Sequence, residues 1–241
     1  MSEGMPVTKK YLRAKLAELK ERYEHAGNFC FFTDTENLPS IFEADRLLCR
    51  SRAIKEGLLI RDCASPEVLS KTPSWVHDHV RLYYAPATPM LYQVEGIKRQ
   101  PDNWPECPRP AYLVFDPMVL TLPHVQLSDG NMGSDYTNCQ QACDDVFGSL
   151  PFAAIYHRGA IAKDPNAEAV LGFDPGVATV IRKRHAEVLI PEELSLDHLR
   201  SLIFRSEAER DLAIDDIGAI PDHVDVRVDK SWFCAQMRGR P

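Results

Sequence analysis

Eight prolines between residues 66 and 110, at positions 66, 73, 86, 89, 101, 105, 108 and 110, limit the folds open to this 241-residue chain more than any other feature. Proline lacks the amide hydrogen that a helix interior requires, and its ring collides with the preceding turn, so no long helix crosses that span. The middle of the chain is therefore expected to consist of strands and loops. Val80-Arg81-Leu82-Tyr83-Tyr84 and Ala111-Tyr112-Leu113-Val114-Phe115 are its clearest strands, rich in β-formers and bounded by proline. Ser128-Asp129-Gly130-Asn131 is a turn by its chemistry.

Helical spacing belongs to the flanks. From Thr8 to His25, Tyr11, Leu12, Leu16, Leu19 and Tyr23 recur at intervals of one, three and four among charged residues, which predicts an amphipathic helix over about 8–26. Gly27-Asn28 supplies a stop, and Phe29-Cys30-Phe31-Phe32 reads as a buried strand. Thr33 or Asp34 is positioned to cap a helix running through Leu48, with Leu38, Ile41, Phe42 and Leu47 on its apolar side. Ala178 to Ile181 and Ala186 to Ile190 are short apolar segments, the second ended by Pro191, so Glu187 sits in or at the mouth of a strand. Leu194 to Phe204 looks helical, and Val224 to Val228 alternates like a half-exposed terminal strand. With no repeat and no linker-like tract, residues 1–241 are read as one domain.

Charge and cysteine usage remove several classes of function. Against 35 Asp+Glu the chain has 28 Lys+Arg, a formal net charge of -7, so no global positive field draws in nucleic acid. Contact with nucleic acid needs a local patch, for which Arg182-Lys183-Arg184 and Lys98-Arg99 are candidates; the plainer reading of such runs is a solvated face. Residues 1–10 lack the apolar core of a secretory signal, and no apolar stretch is long enough to span a bilayer, which points to a cytoplasmic protein without membrane contact, expected to be a monomer. Seven cysteines, with no Cys-x-x-Cys, read as reduced thiols. Gly-x-Gly-x-x-Gly, the P-loop, Gly-x-Ser-x-Gly and His-Glu-x-x-His are all absent. His77-Asp78-His79 holds ligand-type side chains, and in an extended segment 77 and 79 would share a face; Cys139 and Cys143 would share a helical turn. Neither is a complete metal set, and no metal is expected.

Glu187 is more informative, because Ala186 precedes it and Val188-Leu189-Ile190 follows in what should be a core strand. Carboxylates are seldom buried without a partner or a task. By spacing alone, Glu187 could equally lie on the wet face of an alternating strand. The basic residues just upstream allow either a salt bridge or an electropositive site for a dinucleotide phosphate.

Several segments, in order, resemble the DarT family of toxin ADP-ribosyltransferases, which modify bases in single-stranded DNA. They are Phe31-Phe32-Thr33-Asp34-Thr35-Glu36-Asn37-Leu38-Pro39-Ser40-Ile41 with Arg46-Leu47-Leu48; Val76-His77-Asp78-His79-Val80 through Tyr92; Leu127-Ser128-Asp129-Gly130-Asn131; His185-Ala186-Glu187-Val188-Leu189-Ile190; and, more weakly, Val226 to Phe233. The resemblance implies an α+β fold of the ADP-ribosyltransferase type, in which two small packed β-sheets with flanking helices form an NAD cleft. It implies NAD as co-substrate, single-stranded DNA as acceptor and a DarG-like macrodomain antitoxin as partner.

Residue by residue, the resemblance makes Glu187 the catalytic carboxylate. Tyr83 falls where an aromatic flanks the nicotinamide, although ordinary core packing explains it as well. Phe31, Thr33, Asn37, Leu48, Tyr83 and Met90 fall at cofactor-binding positions, and His77, Asn131, Arg182, Lys183 and Arg184 on the nucleic-acid side. Phe31 departs from the family, which has a histidine there. Lys71 or Thr72 stands where the family has an arginine important for the acceptor reaction, with Arg61 further off, and Lys71 is taken as the third catalytic candidate. Ala87 likewise replaces a common arginine. These departures leave RNA or protein as alternative acceptors, and Phe31 leaves open a binding module with impaired catalysis.

Overall fold

The proline-bounded apolar runs become the middle of a mixed sheet. In the computed structural model, which describes residues 6–95, 105–157 and 176–234, the strands are β1 (Phe29–Asp34), β2 (Arg46–Leu48), β3 (His79–Tyr83), β4 (Pro110–Phe115), β5 (Gln126–Ser128), β6 (Cys139–Gln141), β7 (Glu187–Pro191), β8 (Glu193–Ser195), β9 (Leu199–Phe204) and β10 (Asp225–Val228). Eight of them form one sheet in the order β10-β9-β4-β1-β3-β7-β5-β6, and β2 pairs with β8 in a second sheet. The expected α+β class with two sheets and flanking helices is present, but the sheets are unequal. Only β10 runs parallel to its neighbour β9.

Side chains alternate across the large sheet and separate two cores. On one face Phe29, Leu82, Leu113 and Val188 join a cluster that takes in Leu12, Leu16 and Leu19 of the helix Lys9–Arg22, which is N-capped by Thr8. The other face gathers Cys30, Phe32, Tyr83, Tyr112, Ile203 and Trp232. Since β4 is covered on both faces, all six of its residues are buried and it shows no alternation.

Four expectations fail for identifiable reasons. The helix read as running to Leu48 is a 3-10 turn, Thr35–Asn37, with a short helix, Leu38–Glu43; Asp45 then takes a left-handed φ of 52° and turns the chain into β2. Leu194 to Phe204 is β8, a 3-10 turn and β9 rather than a helix. Buried Leu199, Leu202, Ile203 and Phe204 belong to a strand between β4 and β10, and such a run imitates helical spacing. Residues 77 and 79 do not share an extended segment either, because Ser74–Asp78 is a 3-10 turn begun after Pro73 and β3 starts only at His79. Cys139 lies in β6 and the Cys143 side chain caps the helix Asp144–Gly148, so the two do not share a helical turn. None of the seven cysteines, all among the described residues, is in a disulfide.

Candidate active site

Glu187 opens β7 directly opposite Tyr83 of β3. The β5–β7 ladder supplies Gln126↔Leu189 and Leu127↔Val188, and at the next position a side chain takes over from the backbone. There the Glu187 N–H donates to Ser128 Oγ at 2.9 Å, and that hydroxyl donates to the Gly130 carbonyl at 2.8 Å. A fixed turn thus sets where Glu187 begins. Its side chain is 1% exposed, which rules out the wet-face reading.

A buried carboxylate needs a cation, and Arg81 provides it. Two residues before Tyr83 and on the same face of β3, its Nε donates to Oε2 at 2.6 Å and Nη2 to Oε1 at 2.7 Å, a bidentate pair. Burial opposes charge on Arg81, but the Glu187 carboxylate outweighs it and holds the guanidinium above its ordinary range. Burial, reinforced by the Glu187 charge, pushes the Tyr83 phenol up, so it stays protonated. His185 lies edge-on to Tyr83, with ring centroids 6.5 Å apart. Burial pushes its pKa down to about 4, against the opposing effect of a 2.8 Å contact between Nδ1 and the Ile181 carbonyl. The ring is therefore neutral near pH 7, and because a carbonyl only accepts, Nδ1 carries the hydrogen.

In front of this pair lies a cleft holding about 1060 Å³ of space, its open mouth included. Phe31, Thr33, Asn37, Leu48, Tyr83 and Met90 all lie on its wall, so the structure brings together the six residues chosen for the cofactor. The Asn37 amide is fully engaged by the protein, however. Its Nδ2 donates to Thr33 Oγ1 and the Arg61 carbonyl, and its Oδ1 accepts from the N–H groups of Ile60 and Arg61. It shapes the cleft by holding residues 60–61, and the Thr33 hydroxyl still has its own hydrogen to give. Arg46, Arg50, Arg61 and Arg81 also line the cleft, together with apolar Ile41, Leu47, Leu58 and Leu59. The wall includes Arg81 but not Glu187, whose two carboxylate oxygens both accept from the guanidinium.

Other candidates lie apart. Lys71 ends the helix Pro66–Lys71 with an exposed side chain bonded to Glu67 at 2.7 Å, and it is not on the cleft wall, which removes the reason for counting it as catalytic. His77 lines a separate groove with Arg50, Ile54, Trp75 and Asp78. Asn131 and Arg182 are joined, the Asn131 N–H donating to the Arg182 carbonyl at 3.0 Å. The Arg182 guanidinium stands 5.5 Å from the ring of Tyr136, which is 78% exposed. Lys183 is paired with Asp129 at 2.5 Å, and Arg184 Nη2 donates to the Ala87 carbonyl at 3.3 Å. Lys98-Arg99 falls outside the described residues. Sequence reasoning missed Arg81, although the alternation that puts 79, 81 and 83 on one face was available.

The family model described as "ssDNA thymidine ADP-ribosyltransferase, DarT" matches residues 30–234. The chain belongs to the DarT family. Its activity is accordingly NAD-dependent transfer of ADP-ribose to a nucleobase of single-stranded DNA, and NAD is its co-substrate. Similar solved structures include Thermus sp. 2.9 DarT in complex with NAD+, at 16% identity and TM-score 0.63 over 88% of this chain and 99% of that one. The same DarT in complex with ADP-ribosylated ssDNA matches at 17% identity and TM-score 0.64, over 88% and 98%. Thermosipho africanus DarTG in complex with ADP-ribose matches at 15% identity and TM-score 0.61, over 86% of this chain and 50% of that one. At such identities the structural likeness establishes the DarT fold. No curated protein matches the sequence. Among the described residues, no helix is long and apolar enough to cross a membrane.

Proposed function

We propose that the cleft between β1, β3 and the 58–64 segment seats NAD, and that Glu187 drives transfer of its ADP-ribose to thymine in single-stranded DNA. The observation that carries this reading is a buried carboxylate, paired with an arginine that lines the cleft and placed at the first residue of β7, where the family resemblance expects its catalyst. The wall suits a dinucleotide: guanidinium groups match the diphosphate, and the apolar side chains match flat rings. Phe31 contributes ring contact where the resembled family offers a histidine donor.

In the reaction, the bond from the ribose anomeric carbon to the pyridinium nitrogen breaks, and its electron pair leaves with neutral nicotinamide. The sugar becomes oxocarbenium-like, and a carboxylate at a ribose hydroxyl offsets the growing positive charge. A thymine nitrogen then bonds to the anomeric carbon and gives up its proton, for which Glu187 is the nearest base. Proton transfer of that kind is typically worth about 10²–10⁴ in rate. Tyr83, held as the neutral phenol and stacked on Phe32 with centroids 6.0 Å apart, flanks the nicotinamide. On the DNA side we assign Asn131, Arg182 and Arg184 with the exposed Tyr136 ring, since bases stack on aromatics while cations follow the phosphates. A DarG-like macrodomain antitoxin in the same cytoplasm is the partner that this activity calls for.

Nicotinamide release measured with oligonucleotides differing only in whether they contain thymidine tests the acceptor. Stimulation by the thymidine strand alone is expected. Equal stimulation by both would refute thymine as the acceptor, and stimulation by RNA or protein instead would replace DNA.

A further inference from the structure

Both Glu187 oxygens already accept from Arg81, and the side chain is 1% exposed. Arg81, with a side chain 19% exposed, lines the cleft, and Glu187 does not. A ribose hydroxyl arriving in the cleft therefore meets Arg81 first. Side-on pairing uses one lone pair on each oxygen, and the remaining lone pairs are enclosed by protein. Glu187 can act on the sugar only when this guanidinium moves.

Moving it alone would strand a buried charge, a strongly unfavourable step. The opposing charge has to be replaced as the pair opens, and the substrate read into this cleft carries a suitable anion in its diphosphate. We infer that Arg81 is a positioning residue that exchanges partners: it pairs with Glu187 until NAD arrives, then passes to the NAD diphosphate and uncovers the carboxylate for the ribose. Arg50 and Arg61 also line the cleft, but they pair with Asp62 and Glu36 and do not bond the Glu187 carboxylate. The exchange rests on the reading of the cleft as the NAD site. Its chemistry is that of a planar fork, which fits a carboxylate and a phosphate equally well.

Exchange makes Glu187 a competitor of NAD for Arg81, which gives a prediction of definite sign. Calorimetric titration with NAD should show Glu187→Gln binding more tightly than the wild type, by roughly tenfold, because a competent site no longer has to be opened first. Arg81→Gln should bind NAD more weakly than the wild type, and in the double variant the Glu187→Gln gain should vanish, a coupling read from the double-mutant cycle. Arg81→Lys should recover NAD affinity more than turnover, since a point charge serves a phosphate but does not orient a carboxylate. Equal or weaker binding by Glu187→Gln, or a gain that survives the loss of Arg81, overturns the exchange. A wild type that does not bind NAD at all refutes the cleft assignment instead. Circular dichroism on each variant separates these results from misfolding.

Discussion

At the scale of single residues, the site is a set of buried polar groups that each need a partner. His185 gives a test that does not depend on catalysis. Its folded-state pKa of about 4 lies below the ordinary histidine value, so between the two the unfolded chain binds the extra proton. The contribution of His185 to stability is complete above about pH 6.5 and is lost as pH falls toward 4, for a total of roughly 3 kcal/mol. Urea midpoints measured across that window should drop with acid in the wild type and drop less in His185→Asn. An unchanged slope in the variant would contradict the burial argument. Glu187 drew notice as an acid amid apolar β-formers, but the ordered motifs of the family resemblance, not its spacing, made it the catalytic candidate. Arg81 was overlooked because an arginine in a half-exposed strand is unremarkable until the strand opposite is known. Lys71 failed for a converse reason: it was chosen by counting back along the chain, whereas its helix turns it toward solvent and Glu67.

At the scale of elements, strand order does what no single segment announces. β1, β3 and β7 are far apart in sequence and adjacent in the sheet, and their pairings Cys30↔Tyr83 and Tyr83↔Glu187 assemble the cleft wall. The turn after β5 extends this, since Ser128 stands in for a ladder bond at Glu187. Ser128→Ala leaves that buried N–H without an acceptor, a loss of about 1–3 kcal/mol, and frees the start of β7. Turnover should fall about tenfold or more with little change in KM for NAD, because the catalyst shifts while most of the cleft does not. A variant that loses stability but keeps full turnover would show that the turn is only structural. Strands bounded by proline were legible because local chemistry defines them. β2, β8 and β9 were not: the first two are short pieces stabilised by each other, and β9 buries Leu202 and Phe204 in one core and Ile203 in the other, which erases the alternation that marks a strand.

At the scale of the whole molecule, a chain of net charge -7 has to bind a polyanion with a small basic face. Among the described residues, Lys183 is neutralised by Asp129 and the four cleft arginines, Arg46, Arg50, Arg61 and Arg81, each have an acidic partner, which leaves less of their charge for phosphate. Affinity for single-stranded DNA should therefore fall with salt along a shallow slope, and Arg182→Gln should reduce that slope by about 0.7 for one lost phosphate contact. Titrations at several salt concentrations check this, and a slope unaltered by Arg182→Gln would place the DNA elsewhere. The family, the NAD chemistry and the position of Glu187 were all readable from ordered motifs, whereas the latch over the carboxylate depends on two strands meeting. The most direct measurement is mass analysis of a thymidine-containing single strand after incubation with NAD and either the wild type or Glu187→Gln. An ADP-ribose adduct on thymine with the wild type, and a yield at least about a hundredfold lower with a variant that still binds NAD, is the predicted result. An undiminished adduct from Glu187→Gln, or none on thymine from the wild type, would contradict it.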